Sequence, residues 1–501
     1  MRHYMAAGMA AGRSLGGRRA SLHFRRINTF FYRSFDHVEI EPEDEAIRHF
    51  GESWDNEWLP EIMRNHRKSA EFDFAGATVQ GLLKHLEWSL NTVTRHYEIH
   101  GQLLGPGQIA SELLESLYLD LYEDAGRLDV FKLTQGFENS STIMGWDLYD
   151  LSQRAAEFPD VLAILDRTPL ADVTEKFGQL EPGVLFAGEL KKFLDLWGNR
   201  AESTSEINAP TWIEDPSPVI QNIKAYIASD GEHPRERWNE LVAERKARVS
   251  EVRNLLATYP EPVKRKFEEL LKAAQKYNLI LEDHNWWIDQ MTPANLRHVF
   301  MEFGRRLTAA GSIPRPEDVF MLDGDEIIEA AKHDFSVDLL SVVQERIAET
   351  EYWSDFDPPL KLGREDATAQ QANSPRSPGE IIGATSPDGL EQQEGVITGS
   401  PASSGKITGT ARVITKLADA GNLSRGEILV TVSTLSPCTP LFATAGAVVT
   451  DAGGALSHAA IVAREYGIPA VLGTIIGTSA IRNGQQIEVD GDEGTVRILD
   501  K

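Results

Sequence analysis

The sequence predicts a multidomain chain in which a large, mainly α-helical domain is followed by a small α/β domain. Three observations carry that reading. From about residue 43 to 353, apolar residues recur three and four apart, and convincing strands are scarce. Between 363 and 393 the composition shifts to Pro375, Pro378 and Pro387 with several Ser, Gly and Gln and few large apolar residues, as in a linker. Beyond it, short apolar runs alternate with glycine-rich turns and a single helical stretch. The expected organisation is therefore 1–35, 36–362, 363–393 and 394–501.

Residues 1–35 hold seven arginines and no acidic residue before Asp36. They read as a basic, flexible N-terminal extension, and the composition also resembles a transit peptide, without the continuous apolar core of a secretory signal. In the helical region, amphipathic periodicity predicts helices over 79–100, 109–121, 141–157, 189–196, 235–256, 263–277 and 281–310. No repeat of 20 to 50 residues stands out, so one large helical domain is expected. The linker, at no more than ~3.5 Å per residue, could span many tens of ångströms and would suit a domain that visits two sites. In the last segment, 411–414, 426–434 and 447–450 read as strands, and 486–499 as a hairpin around an acidic turn. Asp490, Asp492 and Glu493 in that turn lack the ligand spacing of a calcium loop.

With 501 residues, 41% apolar and 25% charged, the chain can bury a sizeable core. Its net charge of −26 argues against a nucleic-acid surface, which needs clustered Lys and Arg. No run approaches the 18 apolar residues of a membrane helix. Cys438 is the only cysteine, which excludes an internal disulfide and a cysteine-based metal cluster, and a cytoplasmic location is expected.

Residues 450–474 carry the most chemistry. An apolar strand ending at Thr450 is broken by Gly453 and Gly454, and Ile461, Val462 and Tyr466 then recur at helical spacing, which places His458 in a first helical turn. Amides there lack intrahelical partners and the helix dipole is positive, so an anion is favoured, and glycines let the backbone approach it closely. On these residues alone His458 either carries a phosphoryl group or merely caps and packs a helix start.

The whole stretch resembles the phosphohistidine signature of the swivelling domain shared by the PEP-utilising enzymes, among them phosphoenolpyruvate synthase, pyruvate phosphate dikinase and rifampicin phosphotransferase. The resemblance extends back to 399–414. It implies that His458 is phosphorylated at a ring nitrogen, supported by Thr450, Gly453, Gly454, Ser457 and Arg464. Those enzymes tend to have an aromatic residue between two prolines where this chain has Pro437-Cys438-Thr439-Pro440.

Four segments of the helical region, 133–141, 210–218, 282–289 and 316–322, resemble the acceptor-binding part of rifampicin phosphotransferase and of phenylphosphate synthase-type proteins. Where those tend to have Gly-His-Arg, this chain has Gly198-Asn199-Arg200. A hydroxyl acceptor attacking phosphohistidine must lose its proton, and the moving phosphoryl group needs cationic donors, so a base and an arginine are expected nearby. His96 and His100, four apart on one helical face, are candidates, and so are Glu282, His284 and Arg297. Glu98 falls in the wrong place for a zinc-binding helix motif, and no metal site is expected. Each of these side chains could equally be a polar position on a half-buried helix.

Neither a Gly-x-x-x-x-Gly-Lys-Ser/Thr loop nor room for a phosphoenolpyruvate-binding barrel is apparent. The resemblance then implies half of a split dikinase: a separate ATP-grasp subunit, binding ATP and Mg2+, charges His458, and the helical region holds a small hydroxyl acceptor, with a phenol or cresol favoured. The alternatives are a phosphocarrier that acts on a protein partner, and a phosphoenolpyruvate-forming subunit whose barrel is supplied in trans.

Overall fold

In the computed structural model the described residues are 18–27, 30–39, 44–122, 126–202, 206–229, 233–354, 356, 395–415, 417–434, 436–455 and 457–499. The expected linker at 363–393 lies outside them, as do residues 1–17. They form two compact units. One holds described residues up to 109, 206–209 and 287–356, and the other holds 110–202, 210–286 and 395–499. The helical stretch expected as one domain is thus divided between the two.

In the first unit, Arg18–Ile27 (β1) and Phe30–Glu39 (β2) pair antiparallel, Arg18 opposite Glu39 and Ile27 opposite Phe30. A flexible extension was expected over part of this run. Its Leu22, Phe24, Ile27, Phe31 and Tyr32 instead supply the aromatic and branched residues that favour extended backbone, which outweighs the arginine-rich composition. The helices are Asp44–Arg48 (α1), Leu59–Ala70 (α2), Val79–Leu121 (α3), Met291–Ala309 (α11), Gly324–Lys332 (α12) and Leu340–Ser354 (α13). Numbers α4 to α10 fall to the second unit, in which α3 also ends. A buried core of Leu82, Leu86, Val93, Leu296, Val299 and Phe303 joins α3 to α11. Two helices were expected over 79–121, yet α3 runs through Pro106 without a break.

The second unit opens with Ser140–Ala156 (α4), Pro159–Arg167 (α5), Leu170–Phe177 (α6), Glu181–Trp197 (α7), Ser217–Ser229 (α8), Pro234–Leu256 (α9) and Glu261–His284 (α10). Phe177, Phe186, Trp212, Val219 and Ile223 lie at its centre. An eight-stranded mixed sheet follows, in the order β3-β10-β9-β5-β6-β7-β8-β4. Its strands are Val396–Thr398 (β3), Ser400–Ser403 (β4), Lys406–Val413 (β5), Ile428–Thr431 (β6), Ala447–Thr450 (β7), Ala470–Leu472 (β8), Gln486–Asp490 (β9) and Thr495–Ile498 (β10). Strands β5 to β8 are parallel neighbours, and every residue of β6, β7 and β8 is buried, which explains their unbroken apolar sequence. The helix His458–Tyr466 (α14) packs on one face and the short Gly477–Ala480 (α15) on the other. The mainly helical region followed by a small α/β domain is as expected. In the acidic turn, Asp490 accepts the amides of Asp492 and Glu493 and pairs with Lys406.

Candidate functional site

The loop between β7 and α14 is fixed by its own hydrogen bonds. The Asp451 carboxylate accepts the Thr478 amide at 3.0 Å and the Thr474 hydroxyl at 3.1 Å, tying the loop to the start of α15. Gly453 then turns at φ +120°, where a Cβ would come within 3.2 Å of the Ser457 hydroxyl oxygen and 3.5 Å of that of Thr450. The Gly454 carbonyl accepts the Ser457 amide at 2.9 Å. Ser457 has extended backbone at the N-cap, and its buried hydroxyl has no partner among the described residues. At the far end Gly467, at φ +66°, closes α14, with the Ile468 amide returning to the Ala463 carbonyl at 3.0 Å. His458 therefore occupies the first helical position, as expected.

Its imidazole meets α10. Nδ1 lies 3.0 and 2.9 Å from the two carboxylate oxygens of Glu282, and Nε2 lies 3.3 Å from the hydroxyl of buried Thr439. Glu282 is almost fully enclosed, which would raise its carboxyl, but the His458 charge and hydrogen bond, the Ser141 hydroxyl and nearby His284 prevail and hold it below the usual range. An ionised carboxylate favours the tautomer with its proton on Nδ1, and in that neutral tautomer Nε2 carries the lone pair.

Ser141 arrives at Glu282 because Asn139 caps α4, its side chain accepting the amides of Ser141 and Thr142 at 3.0 and 2.9 Å. The neighbouring Ser140 holds Asp283 through its amide and hydroxyl at 2.9 and 2.8 Å. Gly136 donates its amide to Glu465 of α14 at 3.0 Å. At φ +68°, and with a would-be Cβ only 2.9 Å from the Val242 amide nitrogen, this position requires glycine. Burial pushes the Glu465 carboxyl up to about 7, against the Gly136 amide and the charges of Arg464 and Arg245, with Glu282 adding to the rise. Arg464 does not face His458: its Nη1 donates to the carbonyls of Ala402 and Ala455 at 2.8 Å each, and its guanidinium lies 4.0 Å from the Phe131 ring centre. It braces the loop in front of the histidine.

Of the five acceptor-site candidates, the structure brings Glu282 to His458 and places His284 near Glu282, with Nδ1 committed to the Ile280 carbonyl at 2.9 Å. The other three belong to the first unit, where each has its own partners. Both nitrogens of His96 are engaged, by Thr292 at 2.8 Å and Asn65 at 3.1 Å. Burial, with the charges of His66 and Arg95, pulls it down to about 3, so it stays neutral at neutral pH. His100 lies 3.6 Å from Asp289, whose charge holds it above its usual value against the opposing effect of burial. Arg297 donates to the Ile207 carbonyl at 2.9 Å and lies 4.9 Å from the Phe320 ring centre.

Arg200 also lies in this unit, within reach of the Glu282 charge. It is fully buried, with its guanidinium 4.6 Å from the Trp286 ring centre and 5.4 Å from that of Trp197. The Trp286 ring is covered by this cation. Thr439, Ser141 and Arg200 are not among the sequence-predicted site residues, although each lies in a segment compared with similar proteins, 437–440, 133–141 and 198–200.

Two family models match the chain. Residues 101–280 match the fourth domain of rifampicin phosphotransferase, and 423–494 match the mobile domain of PEP-utilising enzymes. Among curated relatives, chondramide synthase of Chondromyces crocatus is 35% identical over 95% of this chain and 13% of its own length. An uncharacterized phosphotransferase of Bacillus subtilis is 30% identical, over 81% of this chain and 47% of the relative. The rifampicin phosphotransferase of Streptomyces sviceus is 29% identical, over 72% and 40%. The chain thus spans less than half the length of each of these three relatives. Among the described residues, no helix is long and apolar enough to cross a membrane.

Proposed function

We propose, from the premise that this chain belongs to the PEP-utilising enzymes, that it is the phosphohistidine-carrying part of an ATP-dependent phosphotransferase acting on a small organic hydroxyl. The observation that carries the proposal is the asymmetric setting of His458, with Nδ1 on the Glu282 carboxylate and Nε2, among the described residues, facing the Thr439 hydroxyl. Nε2 is then the atom that bears the phosphoryl group.

Charging is assigned to a separate ATP-grasp subunit that would hold ATP and Mg2+. Transfer takes place in the arrangement seen here. The Nε2–P bond breaks as a bond forms from phosphorus to the acceptor oxygen, and the acceptor proton ends on the released Nε2. The resulting imidazolium is neutralised by Glu282, which makes that carboxylate a positioning residue for the leaving group. Splitting the reaction at a phosphoramidate separates nucleotide binding from acceptor binding. A phenol or cresol is the first acceptor to try, because four segments of the helical region, 282–289 among them, resemble the acceptor-binding part of phenylphosphate synthase-type proteins.

The test charges the purified chain with potassium phosphoramidate and offers a panel of phenols and aliphatic alcohols. A soluble aryl phosphate formed at the expense of protein-bound label supports the proposal. Label that only hydrolyses with every hydroxyl present, or that passes to a second protein, would contradict it in favour of a phosphocarrier.

A further inference from the structure

Arg200 has a setting that packing alone does not explain. Its backbone is pinned: the amide donates to the Trp197 carbonyl at 3.2 Å, and the carbonyl accepts the Trp212 amide at 2.9 Å. The side chain therefore turns inward against the two indole rings, wholly out of solvent. Of its guanidinium nitrogens, Nη2 donates to the Ser140 carbonyl at 3.3 Å, while Nε and Nη1 have no hydrogen-bond partner among the described residues. A buried cation with open donors is unfavourable unless an anion completes it. Burial pulls the guanidinium down to about 9, partly offset by the Glu282 charge, so it remains cationic at neutral pH.

The neighbours identify the anion. Ser140, which takes one donor, is followed by Ser141, whose hydroxyl bonds Glu282; Glu282 holds His458; and Trp286 stands one turn beyond Glu282. Arg464, a half-buried arginine also within reach of the Glu282 charge, has Nη1 already committed to two carbonyls. We propose that Arg200 is the phosphoryl-binding cation of the transfer site, its Nε–H and Nη1–H groups holding oxygens of the group carried on His458 Nε2. A planar fork suits a tetrahedral oxyanion, and donors fixed in a dry site strengthen as charge builds on the moving phosphoryl group. This rests on the reading of His458 as the carrier.

The test uses the full chain charged with potassium phosphoramidate, with discharge to phenol followed by 31P NMR. The expected result is that Arg200→Gln still accepts label at His458 but discharges on the order of a hundredfold more slowly, as when a single preorganised donor is lost. Arg200→Lys, which keeps the charge but not the fork, falls between that variant and the wild type. Inorganic phosphate, followed through tryptophan emission, binds the wild type and binds Arg200→Gln about tenfold more weakly or worse. Discharge at the wild-type rate in a folded Arg200→Gln overturns the inference and leaves the carrier role of His458 intact. If Arg200→Gln does not fold, an unchanged rate in Arg200→Lys overturns it equally. Failure of the wild type to label at His458 strikes the proposed function itself.

Discussion

Two histidines of the first unit and His458 of the second are held in opposite ways. In the first, His66 and His96 are engaged at both ring nitrogens: His66 by the Trp287 carbonyl at 2.7 Å and Asn295 at 2.8 Å, and His96 by Thr292 and Asn65. Burial pulls His66 down to about 4 and His96 to about 3. They are neutral, saturated structural groups around a small cavity lined also by Ser69, Trp88 and Ser89. In the second, His458 has one nitrogen fixed by a carboxylate and the other opposite a hydroxyl at 3.3 Å. The lesson is that burial alone does not make a histidine chemical; what matters is which of its nitrogens remains available.

The strongest way to break this contrast is to remove the available nitrogen. His458→Ala should abolish phosphoramidate-dependent labelling and all acceptor turnover while leaving the thermal transition in place, and acid-labile label persisting elsewhere would show that the contrast is false. Next comes Glu282→Gln, which removes the ionised partner of Nδ1. Transfer should fall by about 10²- to 10⁴-fold, with labelling at His458 retained. An unchanged rate would reduce Glu282 to a packing residue.

The units should also answer pH with opposite signs. His66 and His96 have folded values below that of the free side chain. Stability of the first unit is therefore fully present above about 6.5 and is lost as pH falls toward 4 and 3. Glu465 in the second unit has a folded value of about 7, above the carboxyl's ordinary 4.5, so its ionisation disfavours the folded state and that penalty grows as pH rises from 4.5 to 7. Glu465→Gln, which can still accept the Gly136 amide, should recover on the order of 3 kcal/mol at pH 8 and almost nothing at pH 4.5. Segment-resolved hydrogen exchange at pH 5.5 and 8 reads both trends, and parallel shifts in the two units would contradict them. The smallest effect belongs to His96→Leu. It should lose about 1–3 kcal/mol of stability by orphaning Thr292 and Asn65, with His458 labelling untouched.

The legible part of this molecule was local. The strand, glycine turn and helix around His458 follow from residues adjacent in the chain, as do the buried strands β6 and β7. Glu282 could be nominated because acidic and aromatic residues cluster around it. Its partners could not be, since Ser141 and His458 lie far away in sequence and meet it only through packing. Arg297 is the converse case. Continuous apolar spacing over 281–310 predicts one helix, but a π-helical turn at 285–290 lies between α10 and α11, and Glu282 and Arg297 fall in different units. Arg200 was passed over because one residue beside it departs from the pattern of similar proteins, which drew attention to Asn199 instead.

The most direct test of the central claim is long-range 1H–15N NMR of the full chain after phosphoramidate treatment, with each histidine assigned by substitution. The account predicts a phosphoryl group on Nε2 of His458 and a proton retained on Nδ1. Phosphorylation of Nδ1, or of any histidine other than His458, would contradict it.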